Sequence, residues 1–549
     1  MTLRGNFYNS GKLVRFILKR EMPLSTVWVL ILVLFSAVLA PGMDAMFGAE
    51  ARAQFAATLD NPVMVAMMGP VYGADNYTQG AMYTGMTLLW YLIAVCVMNI
   101  FFMLRHTRTD EEKGRAEVVR SLPVGRMANL HAAMIAALIV NGLLGLLTGL
   151  GIAAMGVNNM GFAGSMLYGA VTCAAGLAFA AVTALFCQLS QSKSGAAGLS
   201  FLALGIFYMI RAAGDMQGHE LLSSISPLGL ALRAQVYIQN NRWPVYVLLL
   251  LWAVITAAAY KLNAVRDLGQ GLLPARPGRQ EASSFLRSDF GLAFRLLRHT
   301  LAIWFILMLV LGASYGSAIG FISTFVGDSP DYLQILGMPG ELVDTLTGAQ
   351  KEAMIQVYFL SFVTTMMTLI CHVPLLITAI KPANEEKDHR AEVVISHAVP
   401  RMKYLAGYTV LAYVSSVLIQ CAAPIGIYAS AVAAVGDINP FTLGMLLKAY
   451  LAYLPALWVM ISIAVLIVGA FPKISGAVWG YFGFVCFASF MGEFIGLPNW
   501  LLALAPLKHV SQVLLVDINY TPLIMMTIMA VALTAAGFIF YRKRDMVTA

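Results

Sequence analysis

Apolar runs of about twenty residues, separated by short polar stretches, set the pattern of this chain. About twelve of them carry almost no charge: 24–46, 82–104, 130–154, 164–188, 195–213, 243–262, 301–323, 355–380, 405–432, 446–470, 475–496 and 522–541. Apolar stretches of roughly 20 residues cross the hydrocarbon of a bilayer as helices, whereas runs of about 10–14 do not. In lipid each segment must satisfy its own backbone hydrogen bonds, and these runs are too long and uniform for barrel strands. The pattern predicts an all-α polytopic membrane protein with about 12 transmembrane helices.

Composition points the same way. Of 549 residues, 60% are hydrophobic and 11% charged, against about a quarter charged in soluble domains. The net charge of +8 raises the question of nucleic acid, and its placement answers it. With the N-terminus in the cytoplasm and the spans alternating, 28 of the 35 Lys and Arg fall on cytoplasmic segments or the adjoining span ends. That is the positive-inside bias. It puts both termini in the cytoplasm and assigns the charge to topology, with no nucleic-acid partner. The first run is too long for a signal peptide and no convincing A-x-A site follows it, so it is expected to be retained. All six cysteines (Cys96, Cys173, Cys187, Cys371, Cys421, Cys486) lie within spans with no CxxC pair, which argues against a disulfide framework or a zinc site.

The chain carries an internal repeat. Asp110-Glu-Glu-Lys-Gly-Arg-Ala-Glu-Val-Val119 follows the second span, and Asn384-Glu-Glu-Lys-Asp-His-Arg-Ala-Glu-Val-Val394 follows the eighth. By letters, Glu111, Glu112 and Lys113 match Glu385, Glu386 and Lys387. After a one-residue insertion, Arg115, Glu117 and Arg126 match Arg390, Glu392 and Arg401. A proline-containing stretch precedes each final span, Ser226-Pro-Leu-Gly229 and Ala505-Pro-Leu-Lys508. Six spans per half is an even number, so the halves should run parallel about an axis along the membrane normal. The expected organisation is an amphipathic elbow over 1–23, a first six-helix half over 24–262, a linker and second elbow over 263–300, and a second half over 301–549. Pro274, Pro277 and Gly278 mark the linker. In the elbow, Phe7, Leu13, Val14, Phe16, Ile17 and Leu18 alternate with Lys and Arg, as in helices lying among lipid headgroups.

Orientation alone would need only Lys and Arg in the repeated loops, since acidic residues add little to it. The matched glutamates therefore suggest short charged helices that dock a partner. Here the chain resembles ATP-binding-cassette permeases of the type V exporter fold, in particular fused, double-length permeases of the polyketide-antibiotic, tetronasin-resistance kind. The resemblance covers nearly the whole chain and rests on the EEK-x-(x)-R-A-E-V-V loop with its downstream Arg. The second loop departs from it by the extra residue and by Ala398 and Pro400 in place of Pro123 and Gly125. The resemblance implies that 105–129 and 381–404 are coupling loops seated in two cytoplasmic ATPase subunits, a homodimer. It further implies that 214–242 and 497–521 are re-entrant or interfacial, and that the chain resides in a bacterial cytoplasmic membrane.

The chain holds no GxxxxGK[ST] sequence, the phosphate-binding loop of ATPases. It should bind no cofactor itself, with ATP and Mg2+ held by the partner, and should not be an enzyme. Gly312-Ala-Ser-Tyr-Gly316 matches G-x-S-x-G, but it lies inside a span, where a nucleophile elbow cannot form. With Gly320 it reads as a close-packing ladder, like Gly145 and Gly149 in the third span. His131 and His372 have no ligand partners at useful spacing, and no HExxH occurs. Carboxylates are nearly absent from the middle of the spans, with Glu493 near an outer end. That counts against an ion- or proton-coupled carrier of the major-facilitator type, the principal alternative. A membrane enzyme and a permease that transmits force without conducting cargo are weaker ones. Candidate positions along a path for hydrophobic cargo are Thr87, Tyr91 and Met98 in the second span and Phe362, Thr365 and Met366 in the eighth, because aromatic and Met side chains repack around varied apolar ligands.

Overall fold

The computed structural model describes residues 6–46, 52, 56, 62–73, 77–267, 269–273, 281, 283–319, 322, 338, 348–397, 399–435, 441–490 and 497–545. Every regular element among them is helical, and eleven helices are long and apolar enough to cross a membrane. The chain divides into two compact units, Met1–Gly278 and Arg279–Ala549.

In the first unit α1 (Ser10–Met46) leads to a short α2 (Pro62–Met68) and to α3 (Gln79–His106). The repeated loop holds α4 (Arg108–Glu112) and α5 (Arg115–Arg120). Then follow α6 (Ala128–Ala154), α7 (Phe162–Leu189), α8 (Lys193–Met216), α9 (Glu220–Ile225), α10 (Pro227–Leu232) and α11 (Trp243–Val265). The segment expected as an elbow over 1–23 has no break of its own, because α1 runs unbroken through Pro23 into the first span. A proline interrupts a helix less where neighbouring groups take up the freed carbonyl. α6 and α7 approach closely because Gly145 and Gly149 lie against the backbone of Gly169 and Ser165, where any Cβ would collide. Between α3 and α6 the buried amides of Asn99 and Asn141 exchange two hydrogen bonds, 2.9 and 2.7 Å. Gly176 on α7 leaves the room they need.

The stretch 214–242 forms two short helices. All six residues of α10 are buried, with Pro227 in the first turn, where no backbone donor is lost. Beside it lies a charge that the apolar pattern hid. Arg211, fully buried on α8, donates to the carbonyls of Ala66 (2.5 Å) and Val65 (3.3 Å) and pairs with Asp215 at 3.4 Å. The Ala66 carbonyl is an end group of α2, four residues before Pro70, which has no N–H to give it, so Arg211 fastens α2 to the bundle.

The second unit holds α12 (Asp289–Ser317), α13 (Ala349–Lys387), α14 (Arg390–Ile395), α15 (Arg401–Val435), α16 (Leu443–Leu451), α17 (Leu454–Ala470), α18 (Ala477–Phe490), α19 (Asn499–Leu502) and α20 (Tyr520–Lys543). Helix neighbours repeat those of the first unit: α12 packs on α15 as α1 does on α6, and α17 on α20 as α7 does on α11. Gly312 and Gly316 meet the backbone of Ala423 and Ile427 on α15, so the G-x-S-x-G letters are a packing ladder. Gly320 lies outside the described residues.

The expected tenth span, 446–470, is two helices separated at Ala452 and Tyr453. At the break the Tyr450 carbonyl accepts both the Tyr453 N–H at 3.2 Å and the fully buried Gln420 amide at 3.1 Å. The expected eleventh span, 475–496, is described only as far as Phe490, a helix of 14 residues. Residues 491–496, including Glu493, lie outside the described residues. On α11 and α20 large apolar side chains such as Leu250, Val254, Ile528 and Val531 are exposed, as lipid-facing helices require.

Candidate functional site: the paired loops

Each loop begins where a long helix ends and turns through a left-handed residue. Gly114 has φ +69° and His389 has φ +60°, and each precedes a six-residue helix, α5 or α14. These turns lie 275 positions apart, and the loop residues that form ion pairs around them keep that spacing. Asp110 holds Arg115 (3.2 Å) as Glu385 holds Arg390 (2.8 Å). Glu111 is gripped by Arg266 (2.5 and 2.8 Å) as Glu386 is gripped by Arg544 (2.7 and 2.8 Å). The two loops therefore match residue for residue, without the insertion that the letters suggested. Glu111 corresponds to Glu386, and Asp110 to Glu385. The shared Glu-Glu-Lys letters misled because Asp and Glu do the same work at the first position.

Arg266 and Arg544 directly follow the last helix of their units. Each also offers its carbonyl to the loop: Arg126 donates to Arg266 at 3.1 Å, and Arg401 to Arg544 at 2.9 Å. In the first unit Arg108 joins the cluster, donating to Glu111 (2.5 Å) and to the carbonyls of Ser190 and Gln270. In the second, Arg544 also donates to the Gly469 carbonyl (2.9 Å) and stacks on Tyr541. Glu111 and Glu386 side chains are 8% and 3% exposed. Carboxylates that deep persist because both oxygens of each meet a guanidinium, Glu111 through two nitrogens of Arg266 and Glu386 through one of Arg544. Burial lowers the Arg120 guanidinium below its ordinary value, partly offset by Glu111.

The first loop is also stapled to α1. Arg20 pairs with Asp110 at 2.8 Å, and Glu21 lies between His106 (3.0 Å) and Arg105 (3.3 Å). Arg20 approaches the other ring nitrogen of His106 at 2.6 Å.

The predicted loop residues thus fall into two groups. Glu111, Glu385 and Glu386 face inward and fasten the loop. Glu112, Lys113, Arg115, Glu117 and Arg126 in the first loop, and Lys387 and Arg390 in the second, are exposed; Glu392 and Arg401 are half-buried. Glu112 accepts a hydrogen bond from the Lys193 backbone at the start of α8. Between the charges on the outer faces stand Val118 (68% exposed) and Leu122 in the first loop and Val393 (62%) in the second. Ser121 and Ser396 close the two short helices with like hydrogen bonds to Val118 and Val393.

The cargo-path candidates do not share one setting. Thr87, Tyr91 and Met98 are buried inside the first unit, where Tyr91 binds Thr148 at 2.7 Å and Thr87 binds the Tyr83 carbonyl at 2.6 Å. The exposed side of α3 carries Trp90 and Phe101 instead. Phe362, Thr365 and Met366 are half-buried along one face of α13, with Thr365 on Tyr453 at 3.1 Å and Phe362 on Phe490. Asp110, Arg266 and Arg544 were missing from the sequence-based set. Their signal is an arginine placed directly after the last apolar run of each half. Among the described residues no group of three His, Cys, Asp or Glu side chains could hold a metal.

Two units of like packing, each with a fastened loop at one end of its bundle, define a multi-pass membrane permease assembled from duplicated halves. The family model "Multidrug efflux system permease Rv1217c, C-terminal domain" matches residues 25–261 and 286–542. The chain is 33% identical over 540 residues to the multidrug efflux system permease protein Rv1217c of Mycobacterium tuberculosis (strain ATCC 25618 / H37Rv), covering 97% of this chain and 94% of that protein. The chain belongs to this permease family.

Proposed function

We propose that the chain is the membrane-spanning permease of an ATP-driven exporter that moves hydrophobic or amphipathic, drug-like compounds out of a bacterial cell. Two separate nucleotide-binding subunits would hold ATP and Mg2+ and seat on the outer faces of α5 and α14, on the cytoplasmic side. The observation that carries this reading is the latch found twice. Glu111–Arg266 and Glu386–Arg544 fasten the chain just before each short helix, and Arg126 and Arg401 fasten it just after, to the residue that caps the final helix of its own half. A push on the loop would therefore be delivered to a transmembrane helix. A loop serving only as a connector would need no such buried grip in both halves. ATP binding in the partner then biases a two-state equilibrium of the helices.

The docking face follows from exposure: Glu117, Val118 and Leu122 in one loop, Val393 and Lys387 in the other. The test is the pair Val118→Asp and Val393→Asp, made in the complete transporter. Efflux and transport-stimulated ATPase activity should fall at least about tenfold, as for buried apolar anchors at an interface, while permease abundance in the membrane stays unchanged. Unaltered efflux with both substitutions present would remove the docking assignment.

A further inference from the structure

The segment ahead of α1 is tied to the first loop by its backbone. Gly125 and Met127, just past α5, donate their N–H groups to the carbonyls of Tyr8 (3.1 Å) and Asn6 (3.0 Å). The Asn9 side-chain amide donates to the Pro123 carbonyl at 2.8 Å. Asn9 has φ +59°, the left-handed turn that Asn tolerates better than most residues, and α1 begins at the next position. Phe7, grouped by the sequence with the headgroup-facing positions, is half-buried and turns inward. Its ring packs edge-on between His131 of α6 (centroids 4.8 Å) and Tyr260 of α11 (6.2 Å). Those two side chains share a hydrogen bond of 2.8 Å.

The first loop is therefore held at both ends by α1 and the strap that leads into it. Arg20 and Glu21 grip its start through Asp110 and His106, and the strap grips its end. Along α1 the two grips lie about 16 Å apart at 1.5 Å rise per residue. The second half is built differently. Gly426 meets Leu309 and Ala313 where Gly151 meets Val33 and Ala37, so α12 follows α1 in the register that sets Leu309 on Val33. Ser283, Leu296 and Leu297 then stand where the first half has Phe7, Arg20 and Glu21, and Ala406 stands for His131. Among the described residues no backbone hydrogen bond joins 283–288 to 399–402. The strap is an addition to the first half, beyond the latch that both halves share.

We propose that Phe7 is a positioning residue for ATP-driven transport. Wedged between α6 and α11, it keeps the downstream end of the first loop seated. A push on α5 then moves α1, α6 and α11 together and is not lost in bending the loop. This role rests on the ATP-driven reading above, whereas the grip of the wedge on the loop does not, and the two are measured separately.

Hydrogen exchange of the full-length permease alone reads the grip directly. Phe7→Ala removes the edge-on ring contacts and should speed exchange of the Gly125 and Met127 amides about tenfold. The second loop over 396–402 should keep its parental rate. In the complete transporter Phe7→Ala should lower the cargo moved per ATP hydrolysed about fivefold, while the ATPase subunits still co-purify and hydrolyse ATP. Phe7→Tyr, which keeps the ring, should retain most of the parental ratio. A purely structural role would lower abundance and leave that ratio unchanged, so size-exclusion profiles of both variants are matched to the parent. Parental exchange at Gly125 and Met127, or parental transport per ATP in Phe7→Ala, overturns the proposal. So does loss of the ATPase subunits, which would make Phe7 part of the docking face. A parent complex that moves no cargo with ATP takes down the ATP-driven reading and this role with it, whereas the exchange rates still show whether Phe7 holds the loop.

Discussion

At the scale of single residues, the account turns on two guanidinium–carboxylate grips. Removing one partner of a buried ion pair costs about 3–5 kcal/mol, because the other charge is left unpaired. Arg544→Ala should therefore lower the thermal midpoint of the detergent-solubilised protein sharply, since Glu386 is 3% exposed. Adding Glu386→Gln should restore part of the loss, and a double-mutant cycle with no coupling between the two would contradict the latch. Gly114 offers a cleaner backbone test. Its φ is +69° and a Cβ there meets nothing within 4 Å, so Gly114→Ala should cost about 1 kcal/mol from the left-handed conformation alone. The sequence could show that these loops matter but not which glutamate turns inward. Glu111 and Glu112 are neighbours of the same type, and only the fold brings Arg266 to one of them across 155 residues.

At the scale of elements, the apolar pattern located the helices well because each must carry its own hydrogen bonds through lipid. It could not place a break inside an apolar run. The interruption at Ala452 and Tyr453 lies in the middle of such a run, and there the Tyr450 carbonyl accepts both the Tyr453 N–H and the Gln420 amide from α15. Nor could it foresee Arg211, whose charge is matched by carbonyls of α2 and by Asp215, nor that Thr87 and Tyr91 are committed to bonds inside their own bundle. The glycine ladders, in contrast, were legible from spacing. Gly316 lies on the Ile427 carbonyl, and a leucine there would force α12 and α15 apart. Overpacking of this kind costs typically about 1–3 kcal/mol. Gly316→Leu should thus reduce folded yield by size-exclusion chromatography, whereas Gly198→Leu, at a position with open space around it, should not.

At the scale of the whole molecule, duplication was visible in the loops while the spans had diverged. The repeated neighbours of the helices and the gapless match of the loops give that duplication a mechanical meaning: each half presents one loop, gripped by the arginine that caps its own last helix. If energy enters there, the chain is a passive partner to nucleotide hydrolysis. The direct measurement is uptake of a fluorescent hydrophobic dye into inside-out proteoliposomes, made with the permease alone and with its ATPase subunits. Uptake should require both the subunits and ATP, and should be unaffected by collapsing the proton and sodium gradients. Gradient-driven uptake by the permease alone would contradict the account.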